Sequence, residues 1–189
     1  MQGYFFSANG LQTPGLDVSY KTYLRTALTS DDRRQFDLAT IEFVSQLHDG
    51  HTFFWDTWLD QSSQPLRFYA VPLGGYWVVQ SSFLPSLKAG DIIASIDDTP
   101  VEEFFQQRQR YISASSTAAQ RHSLFLLPYL SPEQFTLTLD GNRNVRIDRE
   151  KFKEPGQKTD GRWLKPGLTA YVRIPAFNQP WFEQSALDS

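Results

Sequence analysis

The chain has 189 residues and a net charge of −3, from 18 basic and 21 acidic side chains, and it contains no cysteine. No basic block is present, which argues against nucleic acid as the main partner, and the lack of cysteine excludes disulfides, thiol nucleophiles and zinc–thiolate sites. Hydrophobic residues make up 40% of the chain, with 15 Phe, 8 Tyr and 5 Trp, so it can bury a core, and no apolar run approaches the roughly 18 residues of a membrane span.

The N-terminal part of the chain is predicted to be helical, most clearly over residues 30–47. Ser30 is a favourable helix cap, and Asp31 and Asp32 would lie in the first turn, where the helix dipole favours negative charge. Gly50 would end the helix in a left-handed conformation. Helical spacing places one apolar face on Phe36, Ala39, Thr40, Phe43, Val44 and Leu47.

The middle of the chain is predicted to form a β-rich domain with two helices. Residues 101–112 predict the first helix, and residues 117–130 predict a second one that ends near Pro128. Runs of β-branched and aromatic side chains predict strands at 66–71, 76–79, 92–96, 135–139 and 145–147.

The C-terminal part is predicted to follow a linker. Residues 148–162 are charged and contain Pro-Gly and Asp-Gly pairs, which are typical of turns and loops. Residues 168–174 predict a new strand, Pro175 ends it, and residues 178–189 predict the beginning of a helix.

One segment carries the most specific pattern in the chain. Residues 87–101 read Leu-Lys-Ala-Gly-Asp-Ile-Ile-Ala-Ser-Ile-Asp-Asp-Thr-Pro-Val, which predicts a turn, a short buried strand, a second turn and the start of a helix. The pattern resembles the core of a PDZ domain of the bacterial protease type. This resemblance implies a module that binds extended peptide ends.

Two further motifs flank this segment in the order found in one peptidase family. Residues 47–52, Leu-His-Asp-Gly-His-Thr, resemble the element that ends an N-terminal helix in the C-terminal processing, or tail-specific, serine peptidases and their tricorn-like and retinoid-binding relatives. Residues 167–177, Gly-Leu-Thr-Ala-Tyr-Val-Arg-Ile-Pro-Ala-Phe, resemble the strand that opens the catalytic domain of that family. Three elements in the right order are more specific than any one of them alone.

The resemblance implies an α+β fold in four parts. These are an N-terminal helical segment (1–64), a PDZ-like, partly open β barrel with two helices (65–150), a linker (151–166) and the first strand of a truncated catalytic domain (167–189). The family activates a serine with a lysine of lowered pKa, and that serine normally lies well beyond the opening strand. We therefore carry over no catalytic residue, and we expect this chain alone not to hydrolyse peptides, although the parent would be a serine-type endopeptidase. No cofactor or metal is implied.

The residues around a Gly-Gly pair form the candidate peptide-binding site. Adjacent backbone N–H groups can cradle the terminal carboxylate of a peptide or protein, and the strand that follows would pair with the extended peptide. An ordinary hairpin turn accounts for the same glycines. Residues 86–89 are a reduced version of the small-residue helix entry of the family, so an altered or vestigial groove is a further alternative. The candidate residues are Leu73, Gly74, Gly75, Tyr76, Trp77 and Val78.

Two histidines and an aromatic run each allow a structural and a functional interpretation. His48 and His51 have a weak metal-ligand spacing, which Asp49 or Asp56 would complete. Alternatively, His48 favours the helix dipole and His51 fixes the turn through the backbone, or His51 touches the active-site rim of the complete enzyme. The aromatic run would bind a hydrophobic ligand or form a core or domain contact through Phe53, Phe54, Trp55 and Trp58.

Two other functions stay open on the sequence. In the first, the chain would act as a stand-alone peptide-binding or adaptor module. In the second, it would carry a small hydrophobic ligand, as the retinoid-binding relatives imply. Exposed apolar residues in 168–189 would indicate truncation or a dimer through that segment. The family usually works outside the cytoplasm, which favours a periplasmic or secreted location, although residues 1–10 show no signal peptide.

Overall fold

The structure is a computed structural model that describes residues 15–150 and 160–173. By its internal contacts the chain separates into two units, Met1–Phe152 and Lys153–Ser189. The predicted boundaries of the four parts inside these units stay predictions.

In the described part of the first unit, three helices come first: α1 (Leu16–Leu28), α2 (Arg33–Ser45) and α3 (Thr57–Ser62). The predicted cap of α2 was wrong by two residues. Asp32 caps the helix by accepting a hydrogen bond from the backbone N of Gln35 at 2.8 Å, whereas the Ser30 hydroxyl donates to the carbonyl of Thr26 at 2.7 Å and closes α1. Two polar residues, two positions apart, therefore serve two different helices.

The end and the buried face of α2 also differ from the prediction. The helix ends at Ser45, and His48 rather than Gly50 takes the left-handed conformation, with φ of 50°. Ala39 is buried as predicted, whereas Asp37 is buried although it was expected outside the apolar face. Phe43 instead stacks on Tyr23 of α1 at 5.0 Å between ring centroids. The buried residues of α2 are Asp37, Ala39, Thr40, Ile41 and Ser45.

An antiparallel sheet forms the body of the first unit and makes the fold α+β, as expected. Its order is β1-β2-β3-β5-β6, with β4 paired to β3, so the sheet ends at β1 and β6 and does not close into a barrel within the described residues. The strands are β1 (Phe68–Leu73), β2 (Tyr76–Ser82), β3 (Ile92–Ile96), β4 (Thr99–Pro100), β5 (Gln134–Leu139) and β6 (Arg143–Asp148).

Two helices contact the sheet through aromatic side chains of its core. Helix α4 (Val101–Arg108) places Phe105 at 5.9 Å from the Trp77 ring, and Phe125, just after α5 (Thr117–Ser123), lies at 5.5 Å. Both predicted helices are shorter than expected. The second gives way to 3-10 turns at Leu124–Leu126 and Pro128–Leu130, where a proline lacks the N–H that a longer helix needs.

The second unit shows an antiparallel hairpin of β7 (Asp160–Lys165) and β8 (Thr169–Arg173). The predicted strand near residue 168 is therefore present, and residues 160–165, at the end of the predicted linker, form the strand that pairs with it. The Asp-Gly pair and the charges of this stretch favoured a loop, whereas Trp163, which suits a strand, pairs with Ala170 of β8. The rest of the predicted linker and the predicted helix start lie outside the described residues.

Candidate functional site

The Gly-Gly pair forms the turn that joins β1 to β2. Gly74 and Gly75 have φ values of 59° and 86°, and Leu73 pairs with Tyr76 across the turn. Two consecutive positive φ angles are typical of the tight turns of hairpins, and glycine adopts them at little cost. A Cβ at either glycine would meet nothing within 4 Å, so backbone conformation and not close packing explains the glycines.

The strand that follows the turn already has a neighbour on each side. Trp77 lies opposite Pro72 of β1 and Ile93 of β3, and Val78 lies opposite Val71 and Ile92. A peptide cannot pair with β2 at these residues while both neighbours stay in place. Sequence patterning missed this because it predicts strands but not their order in the sheet.

The edge strand β1 packs against other parts of the first unit. Helix α5 and the Leu124–Leu126 turn lie against it, and Phe125 contacts Phe68 with ring centroids 5.4 Å apart. Ala70 in the middle of the strand is completely buried. Pro72 has no N–H to offer a further strand, which is typical of an edge position.

A gap in the sheet opens beside Tyr76. Strand β5 pairs with one edge of β3, so β2 and β4 share the other edge: β2 pairs as far as Ile93, and β4 begins its pairing at Ser95. Ala94 lies between these two stretches and is exposed. We call the gap bounded by Tyr76, Ala94 and Val101 the notch.

The notch holds an open cavity of about 520 Å³. It brings together three of the predicted site residues, Gly75, Tyr76 and Trp77, whereas Leu73, Gly74 and Val78 do not line it. Residues that sequence reasoning missed complete it, because they come from distant parts of the chain: Ile92, Ile93, Ala94, Val101, Glu102 and Asp140.

An ion pair stands at one wall of the notch. Arg121 Nη1 donates to both carboxylate oxygens of Glu102 at 2.5 and 2.6 Å, and this contact is the main reason why the pKa of Glu102 lies below its usual value. The guanidinium of Arg121 also lies over the Trp77 ring, 5.0 Å from its centroid. Trp77 Nε1 is buried near the carboxylate and has no hydrogen-bond partner among the described residues.

Arg149 fastens the loop that leads into β1. Its Nε donates to the carbonyl of Gln64 at 2.6 Å, and its Nη1 donates to the carbonyls of Ser131 at 2.7 Å and Pro128 at 3.0 Å. Burial lowers the pKa of the guanidinium. No sequence signal identified Arg149, because it stands in the charged stretch that we interpreted as a linker.

The loop with the two histidines is held by Asp49. Its carboxylate accepts hydrogen bonds from the Thr52 hydroxyl at 2.6 Å and from the backbone N of His51 at 3.0 Å, and the Thr52 contact is the main cause of the lowered pKa of Asp49. The side chain of His51 is 99% exposed. Within the described residues, no group of three or more potential metal ligands occurs. Asp49, rather than a histidine side chain, therefore fixes this turn.

The aromatic run after this loop is largely at the surface. Phe53 is 64% exposed and Trp55 63%, so the core interpretation does not hold for these two side chains. Next to them, Asp56 caps α3 and forms an ion pair with Arg33, which also bonds to Asp37 at 3.2 Å. Burial raises the pKa of Asp37.

The comparisons with known proteins support a peptidase-related fold. No family model and no curated protein matches the chain. A crystal structure of a serine-to-alanine mutant of CPAF, a tail-specific protease-like protein, is similar with a TM-score of 0.55 and 17% sequence identity. The similarity covers 77% of this chain and 31% of CPAF, so this chain spans about a third of that protein. In the described part of the chain, no helix is long and apolar enough to cross a membrane.

Proposed function

We propose that this chain is the non-catalytic N-terminal and PDZ-like part of a serine-type tail-specific peptidase, where it presents or gates the C-terminal peptide segments of substrates. Three sequence motifs in the family's order support this proposal, and so does the structural similarity to CPAF. The observation that carries it is the notch, because it is an open cavity beside a β-strand edge and contains three residues of the predicted site.

The notch has the features that an extended peptide needs. The β3 edge changes partner at Ala94, so an incoming peptide would find backbone groups there that neither β2 nor β4 covers. Trp77 and Ile93 line the cavity with apolar side chains. Main-chain hydrogen bonds would supply affinity, and the walls would select side chains.

The proposal is tested by filling the notch. We expect Ala94→Phe to weaken the binding of fluorescent peptides by about tenfold or more, because the ring would occupy the cavity. Ala89→Phe is the matched control, since Ala89 is also exposed but lies in the turn before β3. Fluorescence anisotropy with the purified chain measures both affinities. Equal binding by the parent and Ala94→Phe would contradict the proposal, and so would a parent chain that binds no peptide.

A further inference from the structure

We propose that the turn between β5 and β6 is a site of spontaneous covalent modification, where Asp140 is converted to isoaspartate through a cyclic imide with Gly141. This inference goes beyond the proposed function and does not depend on peptide binding. An aspartate followed by glycine is suited to this reaction, because glycine has no side chain to shield the amide nitrogen that attacks. The chain contains three such pairs: Asp49–Gly50, Asp140–Gly141 and Asp160–Gly161.

The reaction needs no reagent other than water. The backbone nitrogen of Gly141 forms a bond to Cγ of Asp140, and the carboxyl hydroxyl leaves with the amide proton as water, which closes a succinimide ring. Water then opens the ring at the main-chain carbonyl. The backbone now continues through Cγ, and the former main-chain carbonyl becomes a carboxylate. The product has the same atoms as the original residue, but its backbone is longer by one methylene group.

The turn between β5 and β6 already brings the two reacting groups together. The backbone N of Gly141 donates to Oδ1 of Asp140 at 3.0 Å, so the carboxyl group faces the nitrogen that would attack it. A Cβ at Gly141 would meet nothing within 4 Å. Asp140, Gly141 and Asn142 are all exposed, so water reaches the turn and neighbouring side chains do not resist its rotation.

The pair Asp49–Gly50 is held away from the same reaction. Its carboxylate accepts hydrogen bonds from the Thr52 hydroxyl at 2.6 Å and from the backbone N of His51 at 3.0 Å. The backbone N of Gly50 donates to Ser115 Oγ at 3.1 Å. Ring closure has to break these hydrogen bonds, and each of them should slow the reaction by about fivefold.

The pair Asp160–Gly161 lies in the second unit. Asp160 pairs with Arg173 and Gly161 pairs with Val172 of β8. This pairing restricts the backbone rotation that ring closure needs, but it lasts only as long as the two-stranded hairpin stays paired. Asp49–Gly50 is therefore the matched comparison for Asp140–Gly141, since the contacts of both pairs lie within the first unit.

The experiment measures isoaspartate peptide by peptide in the intact, folded chain. The protein is incubated in heavy-oxygen water at mildly acidic pH and then digested with trypsin. Uptake of heavy oxygen and labelling by an isoaspartyl methyltransferase identify the product. Tryptic peptide 122–143 contains Asp140–Gly141, and peptide 35–88 contains Asp49–Gly50. We expect isoaspartate to form at least about tenfold faster in peptide 122–143. Asn9–Gly10 can give the same product by losing ammonia, but it lies in a different peptide.

Three controls separate the effect of structure from that of sequence. In urea, where the chain is unfolded, the rates of the two peptides should converge. Asp140→Glu should abolish the product in peptide 122–143, because the longer side chain does not close the same ring. Ser115→Ala should speed the reaction at Asp49–Gly50 by about fivefold, since it removes the acceptor of the Gly50 N–H. Equal rates in the folded chain, an unchanged ratio in urea, or no isoaspartate at Asp140 would each overturn the inference.

Discussion

At the scale of single residues, Arg149 joins three segments that are far apart in the chain. Its guanidinium donates hydrogen bonds to carbonyl groups of the loop before β1, the turn after α5 and the segment that leads into β5. Buried carbonyl groups need hydrogen-bond donors, and one planar group with five N–H bonds can serve several of them at once. Where these three irregular segments meet, this side chain therefore supplies the hydrogen bonds that helices and strands supply elsewhere.

Replacing Arg149 should destabilise the first unit. We expect Arg149→Gln to lower the free energy of unfolding by about 2–4 kcal/mol, because several buried carbonyls lose their donor. Arg146→Gln is the control, since Arg146 is 66% exposed and bonds to Asp148, and we expect it to cost less than about 1 kcal/mol. Urea denaturation measures both. Similar losses in the two variants would contradict the role of Arg149.

At the scale of elements, the junction of α1 and α2 depends on which polar residue caps which helix. Asp32 accepts the N–H of Gln35 at the start of α2, and Ser30 bonds backward to Thr26. The hydrophobic pattern located α2 within residues 30–47, but its polar start led us to predict Ser30 as the cap. The turn geometry gives that role to Asp32 instead.

This assignment predicts unequal effects of two alanine substitutions. Asp32→Ala should cost about 1 kcal/mol, because an N–H of the first turn loses its acceptor. Ser30→Ala should cost less, since the carbonyl of Thr26 also accepts from Thr29. Thermal unfolding followed by circular dichroism distinguishes them. A larger loss for Ser30→Ala would restore Ser30 as the cap of α2.

The sequence was informative where local chemistry decides the structure. The Gly-Gly turn, the strand from Ile92 and the start of α4 at Val101 all follow from turn residues, propensity and spacing. The sequence predicted only some of the residues that line the notch, because strand order and helix packing bring Glu102 and Asp140 to it. Asp37 could not be predicted as buried, since a carboxylate is expected at the surface unless a partner such as Arg33 is known.

At the scale of the whole molecule, the two units differ in how they cover their apolar side chains. The first unit has a continuous core, with Phe105, Ile112 and Leu137 without exposure. Every described residue of β7 and β8 is exposed, including Trp163 at 63% and Val172 at 58%. A two-stranded hairpin is at best marginally stable without further packing. The hairpin of β7 and β8 therefore needs further packing to be stable.

In the proposed parent peptidase, the rest of the catalytic domain would cover this hairpin. For the chain on its own, we propose that a second copy covers it, with association through residues 168–189. Val172→Lys should weaken association by about tenfold, because it replaces a buried apolar contact with a charge. Thr169→Lys is the control, since it adds the same charge at a polar position of β8. Sedimentation velocity over a range of concentrations measures the effect. A parent chain that stays monomeric throughout would contradict association through this segment.

The packing around the edge strand β1 has a consequence for aggregation. An exposed edge strand can template the addition of strands from other molecules, and proteins suppress this with prolines or overlying helices. Here Pro72 removes a donor, and Ala70 is sealed beneath neighbouring elements. If the protein forms fibrils under stress, growth should not begin at β1 while the first unit stays folded. The hairpin of the second unit, with its exposed Trp163 and Val172, is the more vulnerable template.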